Sequence, residues 1–295
     1  MATQTKHTAA LSRLFSSTIF KELASHGKSA AFTRLVRDAG LAKGAAPPGR
    51  VRDAFERAFE QLKQAGLRDE YIYKAALTHR VLMGRHSLRT ACMLREFRVA
   101  NCKADIAILN GTTTAYEIKS ERDSLSRLER QIEAYRKVFA SVFVIAGENH
   151  VEDVLKATPS DVGVMSLSAR YYIQTRREAK DRPGRISPVA VFESLRTNEA
   201  CAIVAELGLT IPDAPNTRLR AALHEQFETL APAEVHAYML KVLKRTRDLQ
   251  PLSGLVDRLP LSLHAAALSV PLRRADHDRL VGAVDTPLAD ALCWT

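Results

Sequence analysis

One stretch limits the fold of this chain more than any other: Lys103-Ala-Asp-Ile-Ala-Ile-Leu-Asn-Gly-Thr-Thr-Thr-Ala-Tyr-Glu-Ile-Lys119. It reads as two strands joined at Asn110-Gly111, since an Asn-Gly pair between apolar alternating runs is the strongest short-range hairpin signal. Side chains along a strand alternate faces, so Glu117 and Lys119 share one face while Tyr116 and Ile118 take the other. A hairpin closed at 110–111 returns Asp105 to their side. Two carboxylates on rigid strands offer the hard oxygen ligands that Mg²⁺ takes. A lysine beside such an ion can position or deprotonate an attacking water. The spacing therefore predicts a site for metal-assisted phosphodiester hydrolysis.

More is needed, because 26% of the chain is charged and an Asp followed at a distance by Glu-x-Lys often arises by chance. The runs around Asp105 and Glu117 are strongly apolar, which predicts a site near a core. Gln131-Ile-Glu-Ala-Tyr135 follows on a predicted helix, and Ser141-Val-Phe-Val-Ile-Ala-Gly147 reads as a buried strand directly after it. Together, Asp105, Glu117 and Lys119 resemble the signature of the PD-(D/E)XK nuclease superfamily. Gln131 and Tyr135 resemble the Gln-x-x-x-Tyr motif of its RecB-like branch. The stretch from Leu67 to about Val164 also resembles a bacterial branch of that superfamily, through Glu96, the Tyr116–Ser120 run and Arg127-Leu128. The proline of the family name is absent, since Ala104 precedes Asp105.

The resemblance implies a restriction-endonuclease-like core and hydrolysis of DNA with Mg²⁺ or Mn²⁺ as cofactor. Asp105 and Glu117 would be the metal ligands, with the carbonyl of Ile118 and with Glu96 as an added acidic ligand. Lys119 would act on the water or the transition state. Gln131, Tyr135 and Arg127 would meet or orient the nucleic-acid backbone. Blander roles stay open beside these: Glu96 in a surface ion pair, Tyr135 in the core, Arg127 on the surface.

The formal net charge is +10, and its location matters more than its size. Residues 1–100 hold 18 Lys/Arg against 8 Asp/Glu, whereas both 101–150 and 151–295 are balanced. A basic region ahead of a carboxylate site suits a polyanion, because it offsets repulsion between the acids and the phosphates. No apolar run approaches the roughly 18–20 residues that span a bilayer, and the N-terminus lacks an apolar signal core, so a cytoplasmic protein without a membrane partner is expected. The four cysteines, at 92, 102, 201 and 293, show neither metal-ligand nor disulfide spacing.

Along the chain, helices are predicted over 8–25, 29–39, 50–65 and 69–82, with a Gly/Pro-rich loop at 39–49. Strands follow at 90–99, in the hairpin, at 141–146, at 162–167 and at 170–176. Between the hairpin and residue 141 the stripe Leu125, Leu128, Ile132, Tyr135, Phe139 predicts a helix over 121–139 packed on a sheet, with Ser120 and Asp123 at its start. Arg127, Gln131 and Tyr135 would share the edge of that stripe. His150 falls in a loop after a core strand. Residues 181–188 read as a linker, and 189–295 as a series of short, charge-neutral helices.

The fold expected is α+β (α/β by some schemes): a mixed sheet flanked by helices, with a basic helical N-terminal part at 1–66, a core at 67–180 and a helical C-terminal part at 187–295. The activity expected is that of a divalent-metal-dependent nuclease in restriction, repair or mobile-element biology, from a bacterial or phage source. Two alternatives stand beside it: a catalytically silent nucleic-acid-binding protein on a nuclease scaffold, and a partner-binding protein acting through its C-terminal helices. The sequence leaves open whether the chain forms a homo-oligomer.

Overall fold

The computed structural model describes residues 2–42, 49–64 and 66–295, so residues 43–48 of the expected Gly/Pro loop lie outside the described residues. The fold is α+β, a six-stranded mixed sheet with flanking helices. The chain divides into two compact units, one of residues 1–79, 169–171 and 250–295, the other of 80–168 and 172–249.

The first unit opens with α1 (Ala2–Leu14), α2 (Ser17–His26), α3 (Ala30–Asp38), α4 (Val51–Leu62) and α5 (Glu70–Leu77). The single helix expected over 8–25 is two. Ser16 breaks it, since its backbone is extended and its hydroxyl accepts from Ile19 N–H as the cap of α2. Gly27, at φ 72°, ends α2 in the left-handed conformation that a side chain resists. Ser29 and Asp69 cap α3 and α5 in the same manner as Ser16. Beyond α5 the chain continues as a π-helical turn at Thr78–Leu82 and a short α6 (Met83–Arg85).

The second unit holds the sheet, in the order β1 (Cys92–Val99), β2 (Cys102–Asn110), β3 (Thr112–Lys119), β4 (Ser141–Ala146), β5 (Gly163–Leu167) and β6 (Ile173–Arg177). β3 runs parallel to β4 and β4 to β5, while the other neighbours are antiparallel. Gly111, at φ 70°, turns the predicted hairpin. The parallel crossover from β3 to β4 is made by α7 (Leu128–Arg136), and that from β4 to β5 by α8 (Val151–Ala157). Gly163 is required where it stands: a Cβ there would meet the Phe143 ring at 2.2 Å.

Four further helices complete this unit: α9 (Pro188–Ser194), α10 (Thr197–Glu206), α11 (Asn216–Glu228) and α12 (Pro232–Thr246). Their Phe192, Ile203, Phe227 and Met239 share one buried cluster with Ala115, Val142 and Val144 of the sheet and with Leu128, Ile132 and Tyr135 of α7. The ion pair of Glu199 with Arg247 ties α10 to the end of α12.

The chain then returns to the first unit through α13 (Ser253–Val256), α14 (His264–Ala267), α15 (His277–Asp285) and α16 (Leu288–Ala291). Here Val51 N–H donates to the Thr286 carbonyl and Thr33 Oγ1–H to the Ala291 carbonyl. The C-terminal helices thus do not act as one part. Residues 187–249 pack on the sheet, and 250–295 pack on the N-terminal helices, which do not stand alone. An amphipathic stripe announces that a helix will be buried and not which surface will bury it. Among the described residues no helix is long and apolar enough to cross a membrane.

Candidate active site

The candidate site lies where β2 and β3 part. Their ladder runs from Asn110–Thr112 to Ile106–Tyr116 and stops there, two residues short of Ile118. Asp105 fills the gap: its Oδ2 accepts the Ile118 N–H at 2.8 Å, in place of a strand partner. N–H and C=O of one strand residue point to the same neighbour, so the Ile118 carbonyl is directed toward Asp105 as well. The Lys119 carbonyl points the other way and accepts from Gly147 N–H at 2.8 Å.

A kink in β1 faces this gap. The β1–β2 partners run from Cys92–Leu109 to Arg95–Ile106, skip Glu96 and Asp105, and resume at Phe97–Ala104. Glu96 has φ 44°, a left-handed backbone that a glutamate adopts at a cost. The core-facing residues change parity there, from Cys92 and Leu94 to Phe97 and Val99 on β1, and from Leu109 and Ala107 to Ala104 and Cys102 on β2. Strain of this kind is held only where the surrounding structure enforces it.

Glu117 and Lys119 lie on the face of β3 that packs under α7, and they are 2% and 4% exposed. Lys119 Nζ donates to Glu117 Oε1 at 2.8 Å and to Gln131 Oε1 at 2.9 Å. The Tyr135 hydroxyl shares its one proton between Glu117 Oε2 at 2.8 Å and the Lys103 carbonyl at 2.6 Å. Burial first, and then the charge of Glu117, push the Tyr135 phenol far above its ordinary range, so it stays a donor.

The structure therefore gathers Asp105, Glu117, Ile118, Lys119, Gln131 and Tyr135. Tyr135 is fully buried and reaches inward, so it orients Glu117 rather than meeting a nucleic-acid backbone. Glu96 is not brought to the carboxylates. It is exposed and pairs with Lys103 at 3.4 Å, the surface role left open by the sequence. Arg127 is exposed at the N-terminal boundary of α7. The helix expected over 121–139 starts only at Leu128, because Asp123 Oδ2 takes both the N–H and the hydroxyl of Ser120 and closes a local turn that competes with helix. His150 has its Nε2 buried without a partner and joins no ligand set.

Three supporting residues carried no signal in the sequence beyond their type. Gly147 lets the chain pass against the loop after β3, where a Cβ would meet Asn149 Oδ1 at 2.7 Å and Glu121 Cγ at 2.8 Å. Asp161 and Arg185 clasp the C-terminal end of α7: Arg185 donates to the carbonyls of Arg136, Phe139 and Ala140, and Asp161 pairs with Arg136 and Arg185.

The donor set can be tested for a divalent cation. Among the described residues no group of three or more His, Cys, Asp or Glu is arranged to hold a metal ion. Two carboxylates with a backbone carbonyl remain, and Mg²⁺ is commonly held by one or two carboxylates while keeping several waters. A carboxylate has about four lone-pair sites, so Glu117 retains acceptor capacity beyond Lys119 and Tyr135. The residues fit such an ion.

The basic excess is divided between the units. Residues 80–100 hold five arginines against one glutamate, with Arg80, Arg85, Arg89 and Arg98 exposed on the approach to β1 and along it, and the rest of the excess belongs to residues 1–79.

Fold and site thus define an α+β protein whose mixed sheet splays around a buried carboxylate–lysine pair. The chain belongs to the family described as bacteriophage P4 protein cII, whose model matches residues 63–250. Protein cII of Enterobacteria phage P4 is 34% identical over 102 residues, which cover 34% of this chain and 35% of that protein. The match thus spans about a third of the length of that curated relative. No solved structure matches the chain.

Proposed function

We propose that this protein is a divalent-metal-dependent nuclease that hydrolyses DNA phosphodiester bonds. One observation supports this above the others: Asp105, bonded to the Ile118 N–H in the gap between β2 and β3, and the buried Glu117–Lys119 pair stand at the same end of those strands. Asp105, Glu117 and the Ile118 carbonyl would hold Mg²⁺ or Mn²⁺. Bound there, the ion would supply Lewis-acid stabilisation of a phosphoryl oxygen and a more acidic water. Lys119, steadied by Gln131, presents a cation where charge develops on the phosphate. Tyr135 holds the second oxygen of Glu117 in place. The exposed arginines of residues 80–100 offer a phosphate-neutralising approach to the sheet.

A second reading has its own observation. Glu117 and Lys119 are sealed from solvent, and both Glu117 oxygens already accept from protein groups. That suits a silent scaffold that binds nucleic acid without cutting it. The comparison that separates the two uses Lys119→Met and Asp105→Ala on linear, supercoiled and single-stranded DNA. Asp105→Ala should lose cleavage and the rise in melting temperature that Mg²⁺ gives the parent, since it removes a ligand oxygen. Lys119→Met should lose cleavage and keep the rise, because the lysine acts on the transition state. Glu133→Ala, exposed on α7, is the control. A parent that never cleaves with Mg²⁺ or Mn²⁺ sinks the nuclease reading in favour of the scaffold.

A further inference from the structure

Tyr172 is the one large aromatic side chain with more than half its surface exposed among the described residues, at 55%. It sits where β5 returns into β6. The turn is closed from both sides: Ser168 N–H donates to the Tyr172 carbonyl at 2.8 Å, and Tyr172 N–H donates to Ser168 Oγ at 3.1 Å. The backbone at Tyr171 is left-handed, φ 61°, and Tyr171 is buried while its neighbour is turned outward. The Arg80 guanidinium lies over the Tyr172 ring, 4.8 Å from its centroid. One face of the ring is thus held by a cation, and a large part of the ring remains open to solvent.

The sheet register places this ring relative to the candidate site. Lys119 is opposite Ala146, Ala146 opposite Ser166, and Ser166 opposite Gln174, so the four stand in a row across the sheet. Tyr172 is two residues beyond Gln174, at the end of the sheet where β3 leaves Lys119. With strands about 4.8 Å apart, Tyr172 precedes a strand, β6, that lies roughly 14 Å across from β3. Arg176, on β6, has its Nε donating to Ser166 Oγ at 3.0 Å and lies 3.9 Å from the Glu148 carboxylate.

A solvent-exposed aromatic steadied by arginine is suited to stacking on a nucleobase, whose flat face must be unpaired and unstacked to be reached. Paired bases inside a duplex do not offer that face. We propose that Tyr172 and Arg80 form a stacking platform for an unpaired nucleotide of DNA, holding a single strand or a frayed end across the sheet end that carries Asp105 and Lys119. This rests on the nuclease reading for its substrate and names the form of DNA that the site would take.

The test measures binding of the full-length protein, in the Asp105→Ala background, to a short oligothymidylate carrying one 2-aminopurine and to a blunt duplex of the same length. Tyr172→Ala should weaken single-strand binding about tenfold, in line with about 1.4 kcal/mol, and should abolish the fluorescence quenching that stacking gives. Tyr172→Phe should retain both, and duplex binding should hold within about twofold. Equal losses on both DNAs, or a Tyr172→Ala variant that binds and quenches like its parent, would overturn the platform, as would a parent with no affinity for the single strand. Wild-type protein that binds and quenches but never cleaves with Mg²⁺ or Mn²⁺ defeats the nuclease reading and leaves the platform. Wild-type protein that cleaves while Tyr172→Ala changes no binding defeats the platform alone.

Discussion

Replacing Lys119 with methionine tests the site through stability, independently of any substrate. Methionine keeps the length of the side chain and removes the ammonium. In the parent, that ammonium bonds to Glu117 and Gln131 at 2.8 and 2.9 Å in a site where both charged residues are nearly sealed. Without it Glu117 is a buried carboxylate whose remaining side-chain donor is Tyr135, shared with the Lys103 carbonyl. Breaking a buried pair from one side costs about 3–5 kcal/mol, most of it the uncompensated charge. Removing both charges is different. The double variant Glu117→Met/Lys119→Met leaves the Tyr135 hydroxyl its carbonyl acceptor and exposes no buried ion. Such replacements are commonly neutral or stabilising by about 1–4 kcal/mol. The double variant should therefore recover the loss of the single one.

The single tryptophan, Trp294, lies in the first unit and would report the wrong part of the molecule. The measurement is hydrogen exchange of peptides from β3 and α7, read beside urea unfolding followed by circular dichroism. With each 1.4 kcal/mol worth tenfold, Lys119→Met should raise exchange in β3 by about two to three and a half orders of magnitude, if these amides exchange through opening of their own unit. A single variant within about 1 kcal/mol of the parent, or a double variant no better than the single, would refute the reasoning. If the recovery is seen, the parent keeps a buried ion pair that stability alone does not require, as expected where a site trades stability for chemistry.

Two further outcomes follow from the same unit. Gly163→Ala should destabilise by about 1–3 kcal/mol in urea unfolding, because the added methyl group meets the Phe143 ring and the Ala179 nitrogen and neither can move freely. Glu199 and Asp161 both contribute to the acid side of the pH dependence. Burial alone would raise the Glu199 carboxyl, but the hydrogen bonds from Arg247 and from the Arg196 N–H outweigh it and hold the folded value below the usual 4.5. At Asp161, burial is likewise outweighed, by Arg136 and Arg185. Both groups bind protons more readily unfolded, so their contribution is full above the unfolded values and is lost as pH falls through the folded ones. Acid unfolding below about pH 4.5 should become shallower in Glu199→Gln, and an unchanged slope would remove Glu199 from that account.

Much of this architecture is legible in the chain because it is written locally. Asn110-Gly111 fixes a turn, Ser29 and Asp69 mark helix starts, and the run Ser141–Ala146 is apolar enough to be a central strand. The shared face of Glu117 and Lys119 follows from period-two alternation, whereas the sideways turn of Asp105 onto the Ile118 N–H does not. What stays hidden is set by partners distant in sequence. Nothing in Arg-Glu-Phe at 95–97 announces a left-handed residue, since glycine, the usual marker, is absent there. The late start of α7 depends on Asp123 turning back on Ser120, although the apolar stripe already begins at Leu125. The partition of the last hundred residues between two units depends on which surfaces meet.

The kink at Glu96 and the gap at Asp105 are two halves of one device. A regular β1–β2–β3 sheet would pair Ile118 with β2 and would hold Asp105 to the parity of Ala107 and Leu109. The interruption opposite Asp105 lets β2 change faces within a single residue, so Ala104 and Cys102 still point into the core while Asp105 turns sideways onto the Ile118 N–H. The ladder bond lost between β2 and β3 is thereby replaced by a charged one, and a charge-assisted bond is roughly twice as strong as a neutral one. That exchange offsets part of the strain at Glu96. It also leaves the groups graded by depth. Asp105 is half-buried, and Glu117 and Lys119 lie beneath it, sealed by Gln131 and Tyr135. A cation entering the gap would meet the half-buried Asp105 before it could draw Glu117 away from Lys119, so the proposed chemistry begins with competition for a carboxylate that the protein already holds.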